Sequence, residues 1–175
     1  MPRKLKVVIT HHEKCIVDTF AMILRQSNVD VTTAYANIEA LELILSTKPD
    51  IAIICIVPHY DDFNGVYAAI VVRALVPHCH IVLVPGGSGT WVTGPLTLAS
   101  EQGYNFQLMH EPIHPQEVLD MLRERAGEDI EPIAFQQLAS ACAQTAPAHE
   151  SSPYPVFSKR NALLRKFASR FTRNK

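Results

Sequence analysis

The sequence predicts an α/β fold, a doubly wound parallel sheet of five strands, and three observations carry that prediction. The first is residues 51–57, Ile-Ala-Ile-Ile-Cys-Ile-Val, a run without a polar side chain that follows Pro49-Asp50 and ends at Pro58. It is too short to span a membrane, and its lack of alternation marks a strand buried on both faces. The second is that short apolar runs alternate with helical patterns five times between residues 5 and 125. The third is the shortness of the connections. Short loops with right-handed crossovers return each strand parallel to the last.

The elements follow in order. Residues 5–10 (LKVVIT) form a first strand. A helix over 13–26 places Ile16, Phe20, Ile23 and Leu24 on one face. Residues 30–35 alternate and suit an outer strand. Asn37 is of the type that caps a helix N-terminus, and the helix it opens, to Ser46, carries Ile38, Leu41, Ile44 and Leu45. After the central strand comes a loop with Asp61, Asp62, Asn64 and Gly65. A third helix over 66–75 is stopped by Pro77. Residues 80–84 form a fourth strand, closed by Pro85-Gly86-Gly87-Ser88-Gly89. Gly94-Pro95 interrupts the next helical pattern, leaving 96–102 helical. Residues 104–109 form a fifth strand, and 115–125 a fifth helix with Val118, Leu119 and Leu122 inward.

Three regions result: a folded domain over 1–126, an Ala-, Gln-, Ser- and Pro-rich linker over 127–157, and a basic amphipathic helix over 158–175. A short helix is expected around 134–142 in the linker. The net charge of −1 conceals an asymmetry between the body and this tail. Residues 156–175 hold seven Lys or Arg and no acid, which leaves nine basic residues against 17 acids in the rest, a net of −8. An acidic body therefore carries a basic tail. The basic start is followed by too short an apolar run for an export signal. With no CxxC spacing among Cys15, Cys55, Cys79 and Cys142, reduced thiols in a cytoplasm are expected.

With its elements in this order, the chain resembles a bacterial response-regulator receiver domain (CheY-like) over roughly residues 4–125. The resemblance rests on KVVITHHE (6–13), KPDIAIICIVP (48–58), Asn64-Gly65, HIVLVPG (80–86) and EPIHP (111–115). It implies a flavodoxin-like (βα)5 sheet with strand order 2-1-3-4-5, here followed by a helical tail. It also implies phosphoryl transfer to an aspartate after the third strand, beside a Mg²⁺ held by acids after the first. A hydroxyl after the fourth strand and a lysine after the fifth would complete the pocket. This sequence departs at every one of these positions. His11 and His12 stand at the acid pair, Cys55 at the acceptor, Pro85 at the hydroxyl and Glu111 at the lysine. A thiol is not a carboxylate, imidazoles are poor Mg²⁺ ligands, and a glutamate repels a phosphoryl group. The expectation is a pseudo-receiver, not an enzyme, with no cofactor, binding a signalling partner or itself. Asp61 and Asp62 lie in a loop longer than the family's, and nothing in the sequence places them at the pocket.

Other uses of these residues can be weighed. His11, His12 and Cys55, with Glu111 near, are zinc-type donors. No zinc spacing is present, and adjacent histidines usually point apart, so loss of constraint explains them as well. Cys55 as a redox thiol competes with plain packing at a buried strand end. No orienting acid or oxyanion donor accompanies it as a nucleophile. The glycine-rich loop after the fourth strand lacks a phosphate-loop pattern. Trp91 falls where the resemblance puts the fourth helix, on a surface that receivers use for docking; it serves as a contact anchor or folds over the core edge. In the tail, Leu163, Leu164, Phe167 and Phe171 share one helical face, with Arg165, Lys166, Arg170 and Arg173 around the rest. Such a helix docks on its own acidic body or a partner, or on an anionic membrane surface. Nucleic acid comes last, because no DNA-reading unit accompanies it.

Overall fold

Residues 4–56, 64–86 and 90–126 are described by a computed structural model, with Thr90, Trp91 and Ala126 described by their backbone alone. The linker, the basic tail and the Asp61–Asp62 pair lie outside the described residues. The elements run β1 (Lys6–Thr10), α1 (Lys14–Gln26), β2 (Asp30–Ala34), α2 (Asn37–Thr47), β3 (Ile51–Ile56), α3 (Gly65–Leu75), β4 (His80–Pro85), α4 (Thr90–Glu101), β5 (Gln107–Leu108) and α5 (Pro115–Ala126). Every ladder is parallel and the strand order is β2-β1-β3-β4-β5, as expected.

The alternation of side chains along each strand splits the core in two. Val8, Ala52, Ile54, Ile56, Ile81 and Leu83 face the layer made by α2, α3 and α4. Val7, Ile9, Val31, Ile51, Ile53, Val82 and Val84 face α1 and α5. All six residues of β3 are buried, because β1 and β4 flank it and helices cover both of its faces. That is why its sequence is apolar without alternation.

Three expectations need correction. Asn37 is not the cap of α2. Ala36 takes the extended N-cap position, and Glu39 reaches back so that its carboxylate accepts from the Tyr35 N–H at 2.8 Å. The bond holds the N–H of the residue just ahead of the cap, and Asn37 is released for another task. The helix α4 runs unbroken through Gly94-Pro95. A proline one turn inside a helix removes a single backbone bond, and the continuing turns carry that loss. Finally, β5 is two residues long rather than six. Tyr104 and Phe106, expected in it, instead stack at 6.2 Å and pack on the α2–α4 side, with the Arg73 guanidinium 5.9 Å over Phe106.

His80, at the start of β4, bonds Gln107 at 2.7 Å, and burial lowers its pKa, with Arg125 and Arg73 adding to the shift and Gln107 opposing it. A histidine with a depressed folded pKa is uncharged in both states above about pH 6.5. Below that, the unfolded chain takes up the proton first, so stability falls with pH until the folded pKa is passed. Urea titrations between pH 7.5 and 5 should show this decline, and it should be shallower in His80→Gln. An equal slope in both proteins would remove His80 from the account.

Candidate functional site

In a sheet of this order the connection after β1 runs to one side, to β2, and that after β3 to the other, to β4, so a crevice opens at the carboxyl ends of β1 and β3. The sequence places its unusual residues there. His11 and His12 follow the last residue of β1, and Cys55 is the penultimate residue of β3. One potential ligand atom from each of the three lies within 4.8 Å of the others. The rings of His11 and His12 stack at 4.5 Å with 22° between their planes, so the expectation that adjacent histidines point apart is not met.

Hydrogen bonds fix His11, which is only 4% exposed. The Glu13 backbone N–H donates to its Nδ1 at 3.0 Å, at the start of α1. That leaves the ring proton on Nε2, facing Glu111 Oε1 at 3.1 Å. Glu111 comes from the connection between β5 and α5, so this bond ties β1 to the far side of the crevice. His12 is half-buried, with Nε2 3.5 Å from Glu13 Oε1. Burial lowers its pKa, the neighbouring His11 adds to the effect, and Glu13 and Glu111 oppose it. Cys55 is 1% exposed. Burial, then the nearby Glu111 and Glu13 carboxylates, push its thiol up to about 12. That is the reverse of the shift that a redox-active thiolate needs.

Behind Cys55, Asn37 has a role that the sequence did not reveal. The buried Asn37 carboxamide, oriented to satisfy both its ends, donates to the Cys55 carbonyl at 3.1 Å and accepts from the Gly65 N–H at 3.2 Å. Gly65 opens α3 so close to β3 that a Cβ there would lie 2.7 Å from the Cys55 carbonyl oxygen. The Asn64 side chain caps the same helix, accepting from the Val66 N–H at 2.8 Å. Asn64-Gly65 was visible in the sequence as a pair. The role of Asn37 was not, because its partners are distant in the chain.

Pro85 is the last residue of β4, buried opposite Ile56, and brings no hydroxyl to this edge. The crevice therefore combines a protonated thiol, two imidazoles and a carboxylate. Such a set suits transition-metal ligation or plain structural packing, and it offers a phosphoryl group no cation of its own. The side chain of Trp91 and the tail residues Leu163, Leu164, Phe167 and Phe171 lie outside the described residues.

No family model and no curated protein matches this sequence. Solved structures do. A response regulator receiver domain protein (CheY-like) from Methanospirillum hungatei has TM-score 0.61 at 19% identity, covering 73% of this chain and 97% of that one. The signal receiver domain of an HD domain-containing protein from Pseudomonas fluorescens has TM-score 0.60 at 18% identity, covering 73% and 98%. The receiver domain of a modulated diguanylate cyclase from Desulfovibrio desulfuricans has TM-score 0.59 at 16% identity, covering 73% and 97%. Strand order, five parallel strands and these likenesses agree that the described part of this chain has the fold of response-regulator receiver domains.

Proposed function

We propose that the chain is a pseudo-receiver, a two-component signalling module that engages a protein partner without accepting a phosphoryl group. The observation that carries this reading is Cys55, a buried protonated thiol at the end of β3, where receivers use an aspartate. Its neighbours agree with it. Mg²⁺ prefers oxygen ligands, and the end of β1 offers His11 and His12. The Glu111 carboxylate, bonded to His11 at 3.1 Å, repels an incoming anion instead of neutralising it. What remains is a scaffold whose surface recognises a signalling protein or a second copy of itself. In this reading Trp91 and the apolar face of residues 158–175 make contacts, and the basic face of that helix meets the acidic body, a partner or an anionic membrane. A cytoplasmic protein without catalytic activity fits the same reading. Among the described residues no helix is long and apolar enough to cross a membrane.

The test is to add acetyl phosphate, or a beryllofluoride salt, with Mg²⁺ and to follow the amide spectrum and the intact mass. No mass increase is expected, and no saturable shift at Thr10–Glu13 or Cys55. A phosphorylated Cys or Asp, or a saturable shift at those amides, would sink the reading.

A further inference from the structure

We propose that His11, His12 and Cys55 form a transition-metal site of zinc type, with Glu111 as its supporting carboxylate. The inference stands independently of the partner-binding reading and is chemically distinct from an Mg²⁺ pocket. Its donors are two nitrogens and a sulfur, a set that selects Zn²⁺ and its neighbours over hard cations.

The geometry carries it. Three potential donor atoms from two strand ends already lie within 4.8 Å of one another. Donors around a tetrahedral zinc, with bonds of about 2.0–2.3 Å, sit roughly 3.4 Å apart. The site must therefore contract by up to about 1.4 Å, and its parts differ in how they can move. Cys55 is held by the buried β3, whose end Asn37 fastens to α3. His12 lies on the connection between β1 and α1 and is half-buried, so closure turns its ring out of the stack on His11 and toward Sγ.

Glu111 takes part whichever nitrogen of His11 binds. At Nδ1 the metal displaces the Glu13 N–H and leaves Nε2–H on the carboxylate, the grip that orients most metal-bound histidines. At Nε2 the ring proton moves to Nδ1, the Glu13 N–H gives up its bond there, and the metal gains the carboxylate as a fourth donor. Coordination also replaces the Cys55 thiol proton, which is released to solvent.

The probe is Co²⁺, which reports on its ligands by absorbance, followed by displacement with Zn²⁺ on the full chain. Surface histidines alone bind cobalt without a sulfur-to-metal charge-transfer band. A band saturating at one equivalent, unaffected by a large excess of Mg²⁺ and abolished by Zn²⁺, is expected. Cys15→Ser should keep the band and Cys55→Ser should lose it. Because the Cys55 variant can unfold, His12→Ala and Glu111→Gln provide a second arm. Glu111→Gln should weaken binding about 10- to 100-fold and His12→Ala, which removes a ligand, by at least as much, while the protein stays folded by circular dichroism. Zinc at a hundredfold excess over its Kd should also raise Tm by roughly 5–10 °C, since it binds the native chain alone. No charge-transfer band in the wild type, or a band that survives in folded Cys55→Ser, overturns the site. An unchanged affinity in both His12→Ala and Glu111→Gln does the same. Phosphoryl incorporation at an aspartate would overturn the pseudo-receiver reading without touching this one.

Discussion

Ile54→Ala should destabilise the protein by about 4 kcal/mol and lower Tm by roughly 10–15 °C. Ile54 is fully buried in the middle of the sheet, between Thr10 of β1 and Leu83 of β4. Its side chain lies on the face covered by α2, α3 and α4, and its Cγ2 is 3.2 Å from where a Gly65 Cβ would be. Removing three carbons there loses their transfer energy and leaves a cavity. The cavity cannot collapse easily, because hydrogen-bonded strands hold Ile54 on both sides and Gly65 already touches β3. A domain of this size has only about 5–15 kcal/mol of stability, so the loss is a large share of the whole. Leu98→Ala is the matched control. Leu98 is 46% exposed on α4, and its truncation should change stability by no more than about 0.5 kcal/mol. Urea titrations of the two variants check the pair. A cost below about 1 kcal/mol for Ile54→Ala would mean that this face of the sheet is not packed as described.

The same burial explains how much of the fold was legible. Residues 51–56 had to be apolar throughout because strands flank β3 and helices cover both of its faces, and no other soluble context makes that demand so plainly. Residues 104–109 were ambiguous for the opposite reason. Tyr104 and Phe106 suit a strand, but they also suit a ring pair on the helix layer, and a sequence pattern cannot tell one burial from the other. At α2 the residue type misled, since asparagine is a favoured cap. The acid in the first turn was the better signal, since the Glu39 carboxylate takes the Tyr35 N–H just ahead of the helix. The site divides in the same way. Its residue types could be read once the chain was laid on a known scaffold. The bond between His11 and Glu111 joins residues 100 apart, and the stack of His11 on His12 depends on where the sheet edge aims them. Local sequence holds no record of either.

Gly65→Ala is expected to cost about 2–3 kcal/mol, far more than one added methyl on a helix would suggest. Ordinarily a Gly-to-Ala change in a helix is favourable by about 1 kcal/mol. Here the new Cβ would lie 2.7 Å from the Cys55 carbonyl oxygen and 3.4 Å from its carbonyl carbon. These are backbone atoms of the most buried strand and have no rotamer by which to move away, so α3 must back off β3. That retreat also pulls the Gly65 N–H from Asn37, leaving buried polar groups short of a partner. The control is Gly94→Ala, where the added carbon meets nothing within 4 Å. Its helix-propensity gain is offset by the crowding that a residue before proline suffers, so its effect should stay within about 1 kcal/mol. Denaturation gives the two costs, and the amide spectrum gives the location of the change. In Gly65→Ala the resonances of Asn37, Cys55 and His11 should move together, because the start of α3 and the end of β3 form the back wall of the crevice. If Gly65→Ala is as mild as Gly94→Ala, α3 is not seated against Cys55, and the rigid backing that a contracted metal site requires is missing.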